Sequence, residues 1–182
     1  MIGIASTSLT GAAGEHLVMS RLLSRGLIAA LAPQGVPNMD IVVTSVDGMQ
    51  LCAIQVKTRW EKGSDGGWHM GRKHETIVGS NIFYCFVDLG TSVTDLPVVY
   101  VLPSETVANV IARTHATWLA GTGKNGHVRK DSNFRRLSPD NSKLLGDDSE
   151  FGQNWLAPYR EAWDILHDTS NHSATPLIPG GQ

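Results

Sequence analysis

Cysteine is scarce. The 182 residues hold two, Cys52 and Cys85, both inside apolar, strand-like runs. Two thiols make no disulfide framework, so the expectation is reduced core cysteines in a cytoplasmic protein. An excess of charge of one sign is missing too. Fifteen Lys+Arg against seventeen Asp+Glu leave a formal charge of −2. No global basic field announces a nucleic-acid or membrane partner, so any such surface must be local. No apolar run approaches the ~18 residues of a membrane span, and the start lacks the basic and apolar regions of a signal peptide. Repeats are absent. With 41% hydrophobic residues the chain can bury one sizeable core. One domain over residues 1–168 is expected, then a loose tail at 169–182 rich in Ser, Asn, Thr, Pro and Gly.

What is present centres on residues 36–60. Two β-branched, apolar runs, 39–46 and 49–58, flank the dipeptide Asp47-Gly48. An Asp-Gly step between such runs signals a two-residue hairpin turn with positive φ at both central residues. With that turn, partner numbers along the ladder sum to 95 and Asp40 falls opposite Gln55. Opposed residues share a face of a sheet, and Lys57 points the same way as Gln55. A carboxylate, an amide and an amine thus gather at the open end of the hairpin, as a site rather than a core.

Upstream, Ser8 or Thr10 can cap a helix that runs to about Arg25 and is ended by Gly26. Glu15 precedes Val18, Met19 and Leu22 by three, four and seven residues, and so shares their apolar face. It is either an inward carboxylate that needs a partner or one at the edge of the stripe, favoured by the helix dipole. Gly11, Ala12, Ala13 and Gly14 are small enough to let this helix approach a sheet closely.

Residues 27–32 read as a first strand and the hairpin as the next two. A mobile, glycine-rich loop and a short helix near 73–78 follow. The apolar run 82–89 reads as a strand buried on both faces, and 97–102 as a fifth strand. Ser104 then caps a helix whose Val107, Val110, Ile111, Thr114 and Trp118 form a core stripe. Residues 120–152 read mostly as loop. A last helix starts near Pro158, docked by Tyr159, Trp163 and Leu166, with Trp155 packing just before it. Two motifs fail. The stretch Gly121–Gly126 lacks the first glycine of a phosphate loop, and His69 and His74 have no third ligand at zinc spacing.

A helix carrying Glu15, a strand, Asp40 on the next strand and Gln55-Val56-Lys57 on the third resemble the PD-(D/E)XK nuclease superfamily. The resemblance spans about residues 10–102. It implies an α/β, restriction-endonuclease-like αβββαβ core, with a mixed central sheet flanked by helices and a C-terminal helical extension at 103–168. The chain departs from the pattern twice: Met39 precedes the first acid, with Pro37 two residues earlier, and Gln55 stands where Asp or Glu is usual. Mrr-type restriction endonucleases are similar in carrying Q-x-K.

The resemblance implies a metal-dependent endonuclease acting on DNA. Asp40, Gln55, the backbone carbonyl of Val56 and Glu15 would bind Mg²⁺ or Mn²⁺, and Lys57 would assist the attacking water. A hard cation with oxygen ligands suits phosphodiester hydrolysis, because it neutralises charge and generates a nucleophile near neutral pH. With a neutral Gln55 the metal is expected to be weakly held. For nucleic-acid contact, Lys124, Arg129, Lys130, Arg135 and Arg136 cluster with His127 around Phe134, and Arg59, Arg72 and Lys73 flank the site. Pairing into a homodimer is an expectation by analogy with the fold. Two other readings compete: an inactive nucleic-acid-binding module of the same fold, and a protein-interaction domain that uses Trp60, Trp68 and the flexible loop.

Overall fold

Ser6 opens the first helix, its Oγ accepting the Leu9 N–H at 3.4 Å, so the cap lies two residues ahead of the expected Ser8. Helix α1 (Thr7–Leu23) ends as Leu27 N–H returns to Leu22 O at 3.2 Å across Gly26, whose φ is +79°. The computed structural model describes residues 6–33, 35–49, 51–61 and 66–167. The expected tail and most of the glycine-rich loop lie outside them.

Five strands follow in one sheet: β1 (Ile28–Leu31), β2 (Ile41–Thr44), β3 (Leu51–Arg59), β5 (Ile82–Asp88) and β6 (Val98–Pro103), in the order β1-β2-β3-β5-β6. β3 and β5 run parallel and every other neighbour antiparallel, giving the mixed sheet expected. The hairpin register is the one read from the sequence, with Ile41 opposite Ile54 and Thr44 opposite Leu51. The turn itself differs. Gly48 has φ +73° but Asp47 does not, and Gly48 N–H closes on Ser45 O at 2.9 Å while Asp47 Oδ1 accepts the Met49 N–H. A single left-handed residue suffices, because the Asp47 side chain completes the turn.

Side chains alternate across this sheet. Val18 and Leu22 of α1 pack on Ile41, Val43, Ile54, Val56, Cys85 and Val87, with Trp163 and Leu166 closing that layer. The opposite face carries Tyr84, Phe86 and Leu102, covered by Val107, Val110 and Ile111 of α2 (Ser104–Ala120) and by Trp68, Leu137 and Trp155.

Three expectations are corrected. Among its described residues, the segment between β3 and β5 holds no α-helix. It contains β4 (Trp68–Gly71) and a 3₁₀ turn at Arg72–Glu75, and the long helix comes after β6. Trp68 and Met70 are buried while His69 is exposed, a period of two that glycines at 66, 67 and 71 favour over a helix. Second, the stretch expected as loop contains β7 (Phe134–Leu137), which pairs antiparallel with β4 as a separate two-stranded sheet, and a one-turn α3 (Ser142–Leu145). Buried Arg135 stands where an apolar residue would have revealed the alternation. Third, the last helix is two 3₁₀ turns, Ala157–Tyr159 and Trp163–Leu166, with Glu161 between them at φ +50°. Trp163 and Leu166 are buried as read, and Glu161 receives the Val99 N–H (3.1 Å) and the Trp163 indole N–H (2.7 Å).

Candidate active site

Asp40 sits where β2 begins, and its backbone is fixed on both sides. Asp40 N–H donates to Ile54 O and Asp40 O accepts from Ala32 N–H, each at 2.8 Å. The second bond extends the β1–β2 ladder by one pair. The first goes to Ile54, already the partner of Ile41, so Asp40 bulges out of the β2–β3 register and meets Gln55 through its side chain and not as a backbone partner. The preceding residue pair leaves the sheet sharply, because Asn38 adopts φ +66°. The Asp40 carboxylate therefore points across to β3. Its Oδ2 accepts the Val56 N–H at 2.7 Å and a short hydrogen bond from Gln55 Nε2. Oδ1 receives no hydrogen bond from a described residue.

Gln55 is buried and Lys57 half-buried on the α2 side of β3, beside Tyr84 and Phe86 of β5. Burial holds the Lys57 ammonium below its usual range, while Asp40 and Glu15 pull the other way. Glu15 enters from α1. Burial, and after it the Asp40 carboxylate, push the Glu15 carboxyl above its ordinary value. Glu15 and Lys57 thus both lie in the field of the Asp40 carboxylate. What brings Glu15 there is Gly14: a Cβ on it would lie 1.8 Å from Thr58 Oγ1, so only glycine lets α1 seat this closely on β3.

The 3₁₀ turn Arg72–Glu75, where the sequence suggests a short helix near 73–78 with Arg72 and Lys73 flanking the site, supplies further partners. Lys73 Nζ donates to Asn38 Oδ1 at 3.2 Å, just ahead of Asp40, and Lys73 also helps depress the Lys57 ammonium. His74 is buried, with Nδ1 2.8 Å from the Tyr84 hydroxyl. No sequence signal identified Tyr84 or Asn38, beyond the tolerance of asparagine for positive φ before a turn.

His74 makes a stability prediction. Burial, with Lys57 and Lys73 adding repulsion, lowers its pKa to about 4, so it stays neutral in the folded chain where the unfolded histidine titrates near 6.5. The unfolded state takes up the proton first. Folding stability therefore falls as pH drops from about 6.5 to about 4, by up to roughly 3 kcal/mol, and this contribution is flat below that. Urea midpoints across this range should show the loss in the wild type and a shallower slope in His74→Gln; parallel slopes would refute it.

The other cations divide. Arg59 is committed to Asp88, with Nη2 2.6 Å from Oδ2, and its guanidinium lies 4.2 Å from the Trp68 ring centroid. Arg135 is 3% exposed and bonded to Glu75 and to the carbonyls of Ser132 and Phe134. Arg129 donates to Trp118 O and stacks on that ring. These three are engaged by the fold itself, which corrects the reading of Arg135 in particular as a phosphate contact. Arg72, Lys73, Lys124, Lys130 and Arg136 are exposed, with Arg72 3.4 Å from Asp131.

Among the described residues no three His, Cys, Asp or Glu converge on one point, so a zinc-type centre is excluded there. Magnesium asks for less: one or two carboxylates, with waters and substrate oxygens completing the shell. Asp40 Oδ1 and the Gln55 amide oxygen meet that requirement, with Glu15 close by. The Val56 carbonyl leaves β3 on the same edge as its N–H, toward Asp40. The donor set fits a hard divalent cation.

No helix among the described residues is long and apolar enough to cross a membrane. No protein-family model matches the chain, and no curated protein is similar to it. Among solved structures, a bacterial homing endonuclease, I-Ssp6803I, superposes with a TM-score of 0.51 at 20% identity, over 90% of this chain and 94% of that one. The Holliday junction resolvase Hjc of Archaeoglobus fulgidus overlaps more loosely, with a TM-score of 0.40 at 14% identity, over 70% of this chain and 83% of that one. The mixed sheet with its flanking helices is the restriction-endonuclease-like fold.

Proposed function

We propose that the chain is a metal-dependent endonuclease acting on DNA, with its site at the open end of the β2–β3 hairpin. The observation that carries this reading is the convergence of Asp40, Gln55 and Lys57 on one sheet edge, with Glu15 in the same electrostatic field. Asp40 Oδ1, the Gln55 amide oxygen, the Val56 carbonyl and Glu15 would hold Mg²⁺ or Mn²⁺. Such a cation neutralises charge on the phosphate and makes water a competent nucleophile near neutral pH. Lys57 holds the attacking water against the phosphate, and Lys73 stands ready for a phosphate oxygen once released from Asn38. Arg72, Lys124, Lys130 and Arg136 contact the backbone through charge alone, so binding weakens with salt and reads no sequence. The test is nicking of plasmid DNA in Mg²⁺ or Mn²⁺ by the wild type, Asp40→Asn and Lys57→Ala. Metal-dependent nicking lost in both variants supports the reading, and nicking that survives both refutes it.

One observation favours the inactive-module alternative. Gln55 donates its amide N–H to Asp40, which satisfies the carboxylate with no cation present. Cation binding must turn that amide and give up a charge-assisted hydrogen bond, a cost of about 1.5–3 kcal/mol. Gln55→Glu exposes the consequence. A second carboxylate beside Asp40 repels it in the metal-free protein and lowers Tm, while Mg²⁺ affinity rises by about tenfold as ligand charge increases. Thermal unfolding at increasing Mg²⁺ reads both effects; an unchanged Mg²⁺ response would mean that Gln55 is no ligand.

A further inference from the structure

A cavity of about 610 Å³ opens between α2, β7 and α3, apart from the acid cluster. Its walls include Ile111 and Leu144, the edge of Trp118 and the Phe134 ring, which is 51% exposed. Arg136 and Lys143 bring positive charge to its lining. The floor carries Asn141, 6% exposed, whose Nδ2 donates to Phe151 O at 3.0 Å and Ser138 O at 3.5 Å. Its side-chain carbonyl accepts no hydrogen bond from a described residue, so an acceptor on a nearly buried side chain waits in a pocket whose cations outnumber its one carboxylate, Asp140.

We propose that this cavity takes one unstacked nucleotide of a bound nucleic acid. The base would lie against Phe134, an exocyclic amine would donate to Asn141, and a phosphate would pair with Lys143 and Arg136. The volume suits a nucleotide rather than a large cofactor, and a stacking ring beside cations is the chemistry that holds unpaired bases. Trp118 is a wall and not the platform. The Arg129 guanidinium lies 4.9 Å from its ring centroid and His115 stacks on it at 5.5 Å. Phe134 meets His69 edge-on at 5.0 Å, so its contact with that ring is not a stack.

A chain of bonded side chains connects the pocket to the acid cluster. Arg135 lines it and bonds Glu75, at one end of the turn whose Lys73 bonds Asn38. Both also lie on the sheet face covered by α2. An unstacked nucleotide would thus sit at a fixed offset from the bond cut, which favours substrates with a bulge, flap or unpaired junction. The inference rests on the nucleic-acid reading above, though not on catalysis.

The experiment is equilibrium binding of the full chain, in EDTA, to a perfect duplex and to the same duplex with one bulged nucleotide. The wild type should prefer the bulge by about tenfold, the scale of one base–aromatic stack. Phe134→Ala should erase the preference and leave affinity for the perfect duplex within about twofold. Asp40→Asn should keep the preference, so a failure of the nuclease reading stays separate from a failure of this one. Equal affinity of the wild type for both duplexes, a preference that survives Phe134→Ala, or no binding to either duplex would overturn the proposal.

Discussion

Asp40→Asn lowers metal-dependent nicking by about three orders of magnitude or more, the scale on which removal of a principal charge-stabilising group is felt. The replacement is close to isosteric. Its amide oxygen can take the place of Oδ2 and accept both the Val56 N–H and the Gln55 amide N–H, which leaves the new Nδ2 where Oδ1 was. The fold therefore survives, while the single unit of negative charge facing the open end of the hairpin is gone. Circular dichroism and thermal midpoints should match the wild type within a few degrees. DNA affinity measured without metal should hold or rise slightly, because an anion near the phosphate path has been removed. A variant that keeps more than a tenth of wild-type nicking would displace the active site from Asp40. Lys57→Ala, by comparison, should lose about two orders of magnitude.

Gly14→Ala should be among the most destabilising single substitutions, at about 3 kcal/mol or more. An added methyl would sit 1.8 Å from Thr58 Oγ1 and 2.9 Å from Thr58 Cβ and Cγ2, on a strand in mid-sheet that cannot yield. Either α1 lifts off or the Thr58 side chain leaves its rotamer, and its hydroxyl is already buried without a partner. For a chain of this length the loss corresponds to a fall in Tm of roughly 6–12 °C. Thr58→Ala alone should be mild, and combined with Gly14→Ala it should recover part of the loss, because the worst contact disappears. Additive effects would mean that the two residues do not meet. Displacing α1 also moves Glu15, so any nicking activity should decline further than the stability loss explains.

How much of this could be read from the sequence follows from how local each signal is. The Asp40–Gln55–Lys57 constellation was legible because one hairpin contains it, and alternation plus an Asp-Gly turn fix its register within twenty residues. Glu15 was visible as a helical residue out of place on an apolar stripe. The second sheet was not. β4 and β7 are four residues each and more than sixty apart in the chain, and a buried arginine breaks the apolar pattern of β7. The commitment of Arg59, Arg129 and Arg135 to internal partners is likewise long-range, since Asp88, Trp118 and Glu75 lie at separations that sequence spacing does not report. Positive charge in a sequence locates a cation and says nothing of what it already holds. The final helix failed for a local reason: Pro158 suits a helical start, but Glu161 at positive φ interrupts any continuation.

The turn Arg72–Glu75 has a consequence for how this chain can vary in length. Its four successive side chains each take a different partner: Arg72 takes Asp131, Lys73 Asn38, His74 Tyr84 and Glu75 Arg135. Adding or removing one residue there rotates the turn by about a third of a revolution and exchanges all four partners at once. Insertions and deletions in related chains should therefore stay out of the five residues that follow Met70.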